Sequence, residues 1–144
     1  MRPALILFSL FIYMMCPSHA LATNCNAPDA LAGKRFVLEV DGQYTLNNPR
    51  AGELQRFTFK SDALAELSFH TGETLSGEYH YQVLAPDIGL FSTRLMQEDT
   101  LISEFELTLM CKNNTTGHYI FSQTAGSEPP AIRQNVGTYF IMKN

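Results

Sequence analysis

The chain has 144 residues, 45% of them hydrophobic and 17% charged, and its formal charge at pH 7 is −4. This length fits a single domain, the composition excludes a disordered tail, and three cysteines are too few for a disulfide-dense scaffold. The basic residues are dispersed, which argues against nucleic acid or an anionic membrane surface as partner, because both need a basic patch.

The N-terminus has the order of features found in a secretory signal. Arg2 gives a positive start, residues 4–16 are almost wholly apolar, Pro17 interrupts the run, and small residues follow up to Ala22. The alternative, a membrane anchor, is weaker because the run is shorter than the roughly 20 residues that a spanning helix needs. We therefore predict a signal peptide over residues 1–22, cleaved after Ala22, and a secreted or periplasmic protein without a membrane span.

Two cysteines, Cys25 and Cys111, remain when the signal is removed together with Cys16. In an oxidising compartment two cysteines of one small domain most simply form a disulfide. One alternative is lipidation of Cys25, which Asn24 directly before it disfavours. The others are free thiols or a redox or metal pair, and the long spacing matches no metal motif. The compartment favours the disulfide Cys25–Cys111.

The rest of the chain, residues 23–144, is rich in strand signals and has no break that would divide it. Turn residues separate candidate strands at roughly 8–15-residue spacing, which is typical of a sandwich or barrel rather than of βαβ units. Asp29 and Gly33 could begin and end one short helix over residues 27–32. We predict an all-β domain of eight or nine strands, an antiparallel meander closing into a small barrel, with a sandwich as the alternative. The candidate strands are residues 34–40, 56–60, 65–70, 78–84, 88–93, 104–111, 118–121 and 138–142.

A short pattern, Gly-x-Tyr-x followed by a large apolar residue, recurs along the chain. It begins at Gly42, Gly77, Gly117 and Gly137. Because glycine adopts conformations that other residues avoid, we interpret each copy as the exit from a hairpin turn into a new strand.

The opening of the domain carries a family resemblance. Residues 31–38, with the sequence LAGKRFVL, precede a meander of about eight strands in about 120 residues. This arrangement resembles the calycin barrels, and among them it is most similar to lipocalin-like proteins of the MoaF type. The resemblance implies a closed barrel whose interior holds a small ligand.

The residue types that catalyse reactions or bind metals do not occur at the spacings typical of catalytic or metal sites. His70, His80 and His118 lie in or beside strands, without the short His spacings of zinc sites. No serine stands in a Gly-x-Ser-x-Gly elbow. We therefore predict no catalytic residues, no cofactor and no metal, and the chain is not expected to be an enzyme.

The aromatic residues are the candidate ligand site. The period-two alternation of strand side chains predicts that they point inward. There they either fill the barrel or line a pocket, in which Arg94 would orient a ligand. The first hypothesis is a binding protein for a small hydrophobic or aromatic molecule, favoured by a cavity of at least about 300 Å³. The alternative is a filled, non-enzymatic protein-interaction or structural module, favoured by an exposed apolar patch above about 400 Å². The aromatic residues are Phe57, Phe59, Phe69, Tyr79, Tyr81, Phe91, Phe105, Phe121, and either Tyr139 or Phe140.

Overall fold

The computed structural model describes residues 25–143, and the predicted signal peptide lies outside them. Each strand pairs antiparallel with the next, and the first pairs with the last, so that the sheet closes into a barrel. This confirms the predicted all-β meander, selects the barrel over the sandwich and is consistent with a calycin-like fold. The strands are β1 (Arg35–Val40), β2 (Leu54–Phe59), β3 (Leu64–Phe69), β4 (Thr74–Ala85), β5 (Ile88–Gln97), β6 (Thr100–Asn113), β7 (Thr116–Gly126) and β8 (Arg133–Met142).

Every predicted strand segment overlaps a strand of the barrel, although Lys34, Lys60 and His70 lie one residue outside. Several strands are longer than their apolar pattern. β7 continues past Phe121 because the backbone of Ser122 and Gln123 still pairs with β8, although these side chains are polar. The short helix predicted over residues 27–32 is wrong, since this segment is irregular and ends in a turn at Gly33. Among residues 25–143 there is no helix long and apolar enough to cross a membrane.

Aromatic rings fill one end of the barrel, which we call the closed end. Phe59 packs edge-on against both Tyr79 and Phe91, with ring centroids 5.1 and 5.4 Å apart. Phe36 stacks on Tyr139 at 5.5 Å. These side chains are at most 8% exposed. The packing leaves this half of the interior without room for a ligand.

The segment before β1 covers the closed end, and the predicted disulfide holds it there. Cys25 and Cys111 are bonded, with Cα atoms 6.1 Å apart, which confirms the predicted pairing. The Tyr81 hydroxyl donates a hydrogen bond to the Pro28 carbonyl at 2.7 Å. Burial, with smaller effects of Tyr139 and an aspartate, raises the pKa of Tyr81 to about 12, so this donor keeps its proton. Leu31, 1% exposed, completes the cover.

Two of the Gly-x-Tyr copies place a glycine opposite an aromatic ring of the neighbouring strand. Gly117 and Gly137 lie inside β7 and β8, opposite Tyr139 and Tyr119 respectively. A Cβ atom on Gly117 would lie 2.6 Å from Cζ of Tyr139, and one on Gly137 would lie 2.5 Å from Cζ of Tyr119. The interpretation as a hairpin exit is wrong for Gly137, which lies in the middle of β8, whereas Gly117 does follow the β6–β7 turn. In both copies the glycine makes room for a ring on the neighbouring strand. The glycines with positive φ are instead Gly33, Gly52 and Gly72.

Removing the disulfide should destabilise the barrel. The bond joins cysteines 86 positions apart, so we expect the double variant Cys25→Ser/Cys111→Ser to lose about 2–5 kcal/mol of unfolding free energy. Urea titration followed by tyrosine fluorescence measures this, since the chain has no tryptophan. Reduced wild-type protein should unfold at the same urea concentration as the variant. Equal midpoints for oxidised wild type and variant would contradict a stabilising bond.

The glycine–ring contact gives a second prediction, with a matched control. We expect Gly117→Ala to cost about 1–3 kcal/mol because its methyl group would overlap both the Met110 carbonyl oxygen and the Tyr139 ring. Gly42→Ala should change stability by less than about 0.5 kcal/mol, since a Cβ there meets nothing within 4 Å and its φ is not positive. Thermal unfolding of both variants tests the contact, and equal effects would argue against it.

Candidate functional site

A cavity of about 190 Å³ occupies the other half of the barrel, which we call the open end. Its floor is apolar and its rim is polar, and it reaches the surface beside the exposed residues Glu73 and Ser127. The floor includes Phe57, Leu67, Leu95, Phe105, Leu107 and Phe121.

The cavity forms at this end because the character of the inward side chains changes along the strands. On β8 the inward positions read Tyr139 at the closed end and then Gly137, Asn135 and Arg133 toward the open end. On β7 the last inward residue is the buried Gln123. Polar side chains thus take the positions that rings occupy at the other end, and they leave space between them.

Four charged residues, Arg50, Glu53, Glu128 and Arg133, form what we call the rim cluster. Oε2 of Glu128 accepts hydrogen bonds from Nε of Arg50 at 2.8 Å and from Nη2 of Arg133 at 3.0 Å. Nη1 of Arg50 also donates to Oε2 of Glu53 at 3.1 Å. Burial alone would raise the pKa of Glu128, but the hydrogen bonds and charges of both arginines outweigh it and lower this pKa.

Arg133 is the unusual member of the rim cluster, because its side chain is only 7% exposed. Its guanidinium carbon lies 5.8 Å from the centroid of the Phe121 ring. Its Nε and Nη1 atoms are buried without a hydrogen-bond partner, and within residues 25–143 they are the only such buried side-chain nitrogen or oxygen atoms. A buried donor without an acceptor is costly and calls for an explanation.

The β1–β2 loop, which carries Arg50, is held over the open end by a buried amide. Asn48 is 4% exposed, and its Nδ2 donates to the carbonyl oxygens of Asp41 at 2.8 Å and Gln43 at 2.9 Å. Its Oδ1 accepts from Nδ2 of Asn135 on β8 at 3.3 Å. The loop is therefore tied both to itself and to the barrel wall.

A second buried amide holds the β7–β8 loop, which carries Glu128. Gln123 is 3% exposed, and its Nε2 donates to the Ala131 carbonyl at 2.9 Å. Its Oε1 accepts from the Ser103 hydroxyl at 2.8 Å. The two loops that carry Arg50, Glu53 and Glu128 are thus positioned before any ligand arrives.

The structure divides the predicted aromatic residues between the two ends of the barrel. All of them belong to the buried core or pack against it, and Tyr139 rather than the exposed Phe140 points inward. The residues that line the cavity are Phe57, Phe69, Phe105 and Phe121. Those absent from its lining are Phe59, Tyr79, Tyr81, Phe91 and Tyr139.

The inward placement expected for Arg94 is wrong. Its side chain is 67% exposed on the outer face, where Nε lies 3.1 Å from Oε2 of Glu104. The strand alternation requires this, because the neighbours Thr93 and Leu95 are buried. The same alternation, continued backward from Tyr139, would have placed Arg133 inside.

The remaining residues singled out from the sequence lie away from the cavity lining. His80 and His118 are exposed on β4 and β7. Nδ1 of the exposed His70 lies 3.5 Å from Oε1 of Glu53, beyond the reach of a good hydrogen bond. In the part of the chain that the structure describes, no three His, Cys, Asp or Glu residues are grouped to hold a metal ion.

Comparisons of this chain with protein-family models, with curated proteins and with solved structures found no match.

The rim cluster predicts how stability depends on pH. The pKa of Glu128 lies below its ordinary value of 4.5 in the folded state, so its ion pairs stabilise the fold above that pH. The contribution is lost as pH falls through the lowered pKa. Because Glu128 is 39% exposed, we expect it to be less than about 1 kcal/mol.

Melting temperatures from about pH 6 to about pH 2 test this expectation. Glu128→Gln should be less stable than wild type near neutral pH, and the difference should shrink in acid. Glu106→Gln, on the exposed outer face of β6, serves as the control and should show neither effect. A constant difference between Glu128→Gln and wild type at every pH would contradict the role of this carboxylate.

Proposed function

We propose that this chain is an exported, lipocalin-like binding protein of the MoaF type that holds a small hydrophobic or aromatic molecule at the open end of its barrel. The observation that carries the proposal is the cavity of about 190 Å³, with an apolar floor and a polar rim. This combination is typical of small-molecule sites, in which apolar walls supply affinity and a few polar groups orient the ligand.

The volume sets the size of the ligand. The cavity is smaller than the roughly 300 Å³ at which drug-sized pockets begin, so it does not reach the size expected from the sequence. It exceeds the roughly 150 Å³ of an apolar cavity that accepts benzene. A molecule built around one ring, or an aliphatic chain of similar volume, therefore suits the space. The aromatic packing of the closed end accounts for the missing volume.

Export follows from the N-terminal pattern and is supported by the cystine. Disulfides persist in oxidising compartments and are rare in the cytosol. The bond Cys25–Cys111 joins β6 to the start of the mature chain, which would begin directly after the cleavage site at Ala22. We therefore propose a secreted or periplasmic location.

Binding rather than catalysis is the proposed role. A histidine–carboxylate pair inside the cleft would be the natural acid–base device of such a barrel. His70 instead lies outside the cavity lining, with 70% of its side chain exposed, and Glu53 is already paired with Arg50.

A second candidate function is a protein-interaction module. It is favoured by three large apolar side chains exposed on the two loops beside the open end: Tyr44 at 70%, Leu46 at 82% and Ile132 at 74%. Single exposed apolar residues are common on protein surfaces, so they weigh less than an organised cavity.

Small aromatic probes test the proposed function. Toluene and indole, titrated into 15N-labelled protein, should shift the amide signals of Phe57, Phe105 and their neighbours. Leu95→Phe should weaken binding at least tenfold, because Leu95 is fully buried and lines the cavity. Leu84→Phe, on the exposed surface of β4, should bind like wild type.

Native mass spectrometry of protein purified from its own extracytoplasmic compartment provides the second measurement. A co-purifying small molecule would support the proposed function. Protein that is consistently empty and unaffected by every probe would refute it and favour the interaction module.

A further inference from the structure

We infer that the ligand is a small monocarboxylate whose apolar body lies on the aromatic floor and whose carboxylate accepts hydrogen bonds from Arg133. This inference rests on the proposed function, since it names the chemical class of molecule that the cavity holds.

Arg133 has hydrogen-bond donors without acceptors. A guanidinium group has five N–H donors, and the side chain makes one hydrogen bond, from Nη2 to Glu128. Nε and Nη1 are buried without partners. Both are donors only, so the missing partner must supply acceptor oxygens. A carboxylate is the strongest such acceptor on a small organic molecule, and arginine recognises it better than any other side chain.

The surroundings of Arg133 determine where the rest of the ligand lies. Arg133, Phe121 and Phe105 all line the cavity, and the centroids of the two rings are 4.9 Å apart. The guanidinium group is thus continuous with the aromatic floor. A carboxylate at Arg133 brings an attached ring onto Phe105 and Phe121, within a volume suited to one ring.

The rim cluster selects its ligand through the hydrogen-bond donors of Arg133 and not through a long-range electrostatic field. Two arginines face two carboxylates, so the cluster has no net charge to attract anions from a distance. Glu53 lies against Arg50 and His70, and no ion pair joins it to Arg133. Oε2 of Glu128 holds Nη2 of Arg133 in position, while Nε and Nη1 have no acceptor within the protein.

The polar side chains beside Arg133 are already committed to holding the loops. Gln123 bonds Ala131 and Ser103, and Asn135 bonds Asn48. Arg50 is shared between Glu53 and Glu128 and lies over the Phe69 ring, with its guanidinium carbon 4.5 Å from the centroid. Arg133 is therefore the cavity-lining cation that keeps buried donors for a ligand.

A matched series of probes tests the inference on the full folded domain. Benzoate, benzamide and toluene share one ring and differ in the group attached to it. We expect wild-type protein to bind benzoate at least tenfold more tightly than benzamide or toluene by calorimetry or NMR titration. Arg133→Gln should lose this preference and still bind toluene. Arg94→Gln, which removes an exposed arginine from the outer face, should keep the preference.

A direct measurement covers the case in which Arg133→Gln does not fold. In wild-type protein labelled with 15N arginine, benzoate should shift the Nε–H signal of Arg133 and leave that of Arg94 in place. An unmoved Arg133 signal in the presence of bound benzoate would overturn the inference.

The outcomes separate the two proposals. Equal affinity for benzoate, benzamide and toluene would overturn the carboxylate assignment and leave the binding function standing. A benzoate preference that persists in folded Arg133→Gln would overturn the role of Arg133. Failure of benzoate, toluene and indole alike to bind would count against the proposed function itself.

Discussion

The pairing of β1 with β8 is the interaction on which the rest of the molecule depends. Six residue pairs, from Arg35 with Met142 to Val40 with Gly137, join the two ends of the sheet. Closure gives both terminal strands a hydrogen-bonded neighbour on each side, so the barrel has no free edge to pair with another chain. It also turns one face of every strand into an interior. Each inward residue must then either fill space, satisfy its polar groups or leave a cavity.

The barrel uses all three solutions, and it separates them along its axis. Rings contributed by five strands fill the closed end, where Phe36, Phe59 and Tyr79 meet. At the open end, Gln123 satisfies its amide through the loop that it holds, while Arg133 keeps unfilled donors. The cavity lies between these regions. A stable core and a cavity can therefore coexist in a barrel too small to be hollow throughout.

Much of this architecture could be predicted from period-two alternation, which is strong in segments such as residues 104–111 and sufficient to place Phe105 and Cys111 inside. The alternation was less useful where polar residues point inward, so the end of β7 was missed. Arg133 obeys the rule but was overlooked because an inward arginine contradicts the usual preference for apolar cores. Arg50 and Glu128 lie in loops, where no period applies. The cavity volume depends on how the rings pack, which no pattern of single residues contains.

The reciprocal contacts of two glycines and two tyrosines have a consequence for how β7 and β8 find each other. The loop between these strands is too long to act as a tight hairpin that would align them. A slip of two residues preserves which side chains face inward, so hydrophobicity alone would tolerate it. Such a slip in one direction would set Tyr119 against Tyr139, and in the other it would set Gly117 against Gly137. The first would force two rings into one space and the second would leave a void. The alternating small and large side chains thus favour a single register of the two strands.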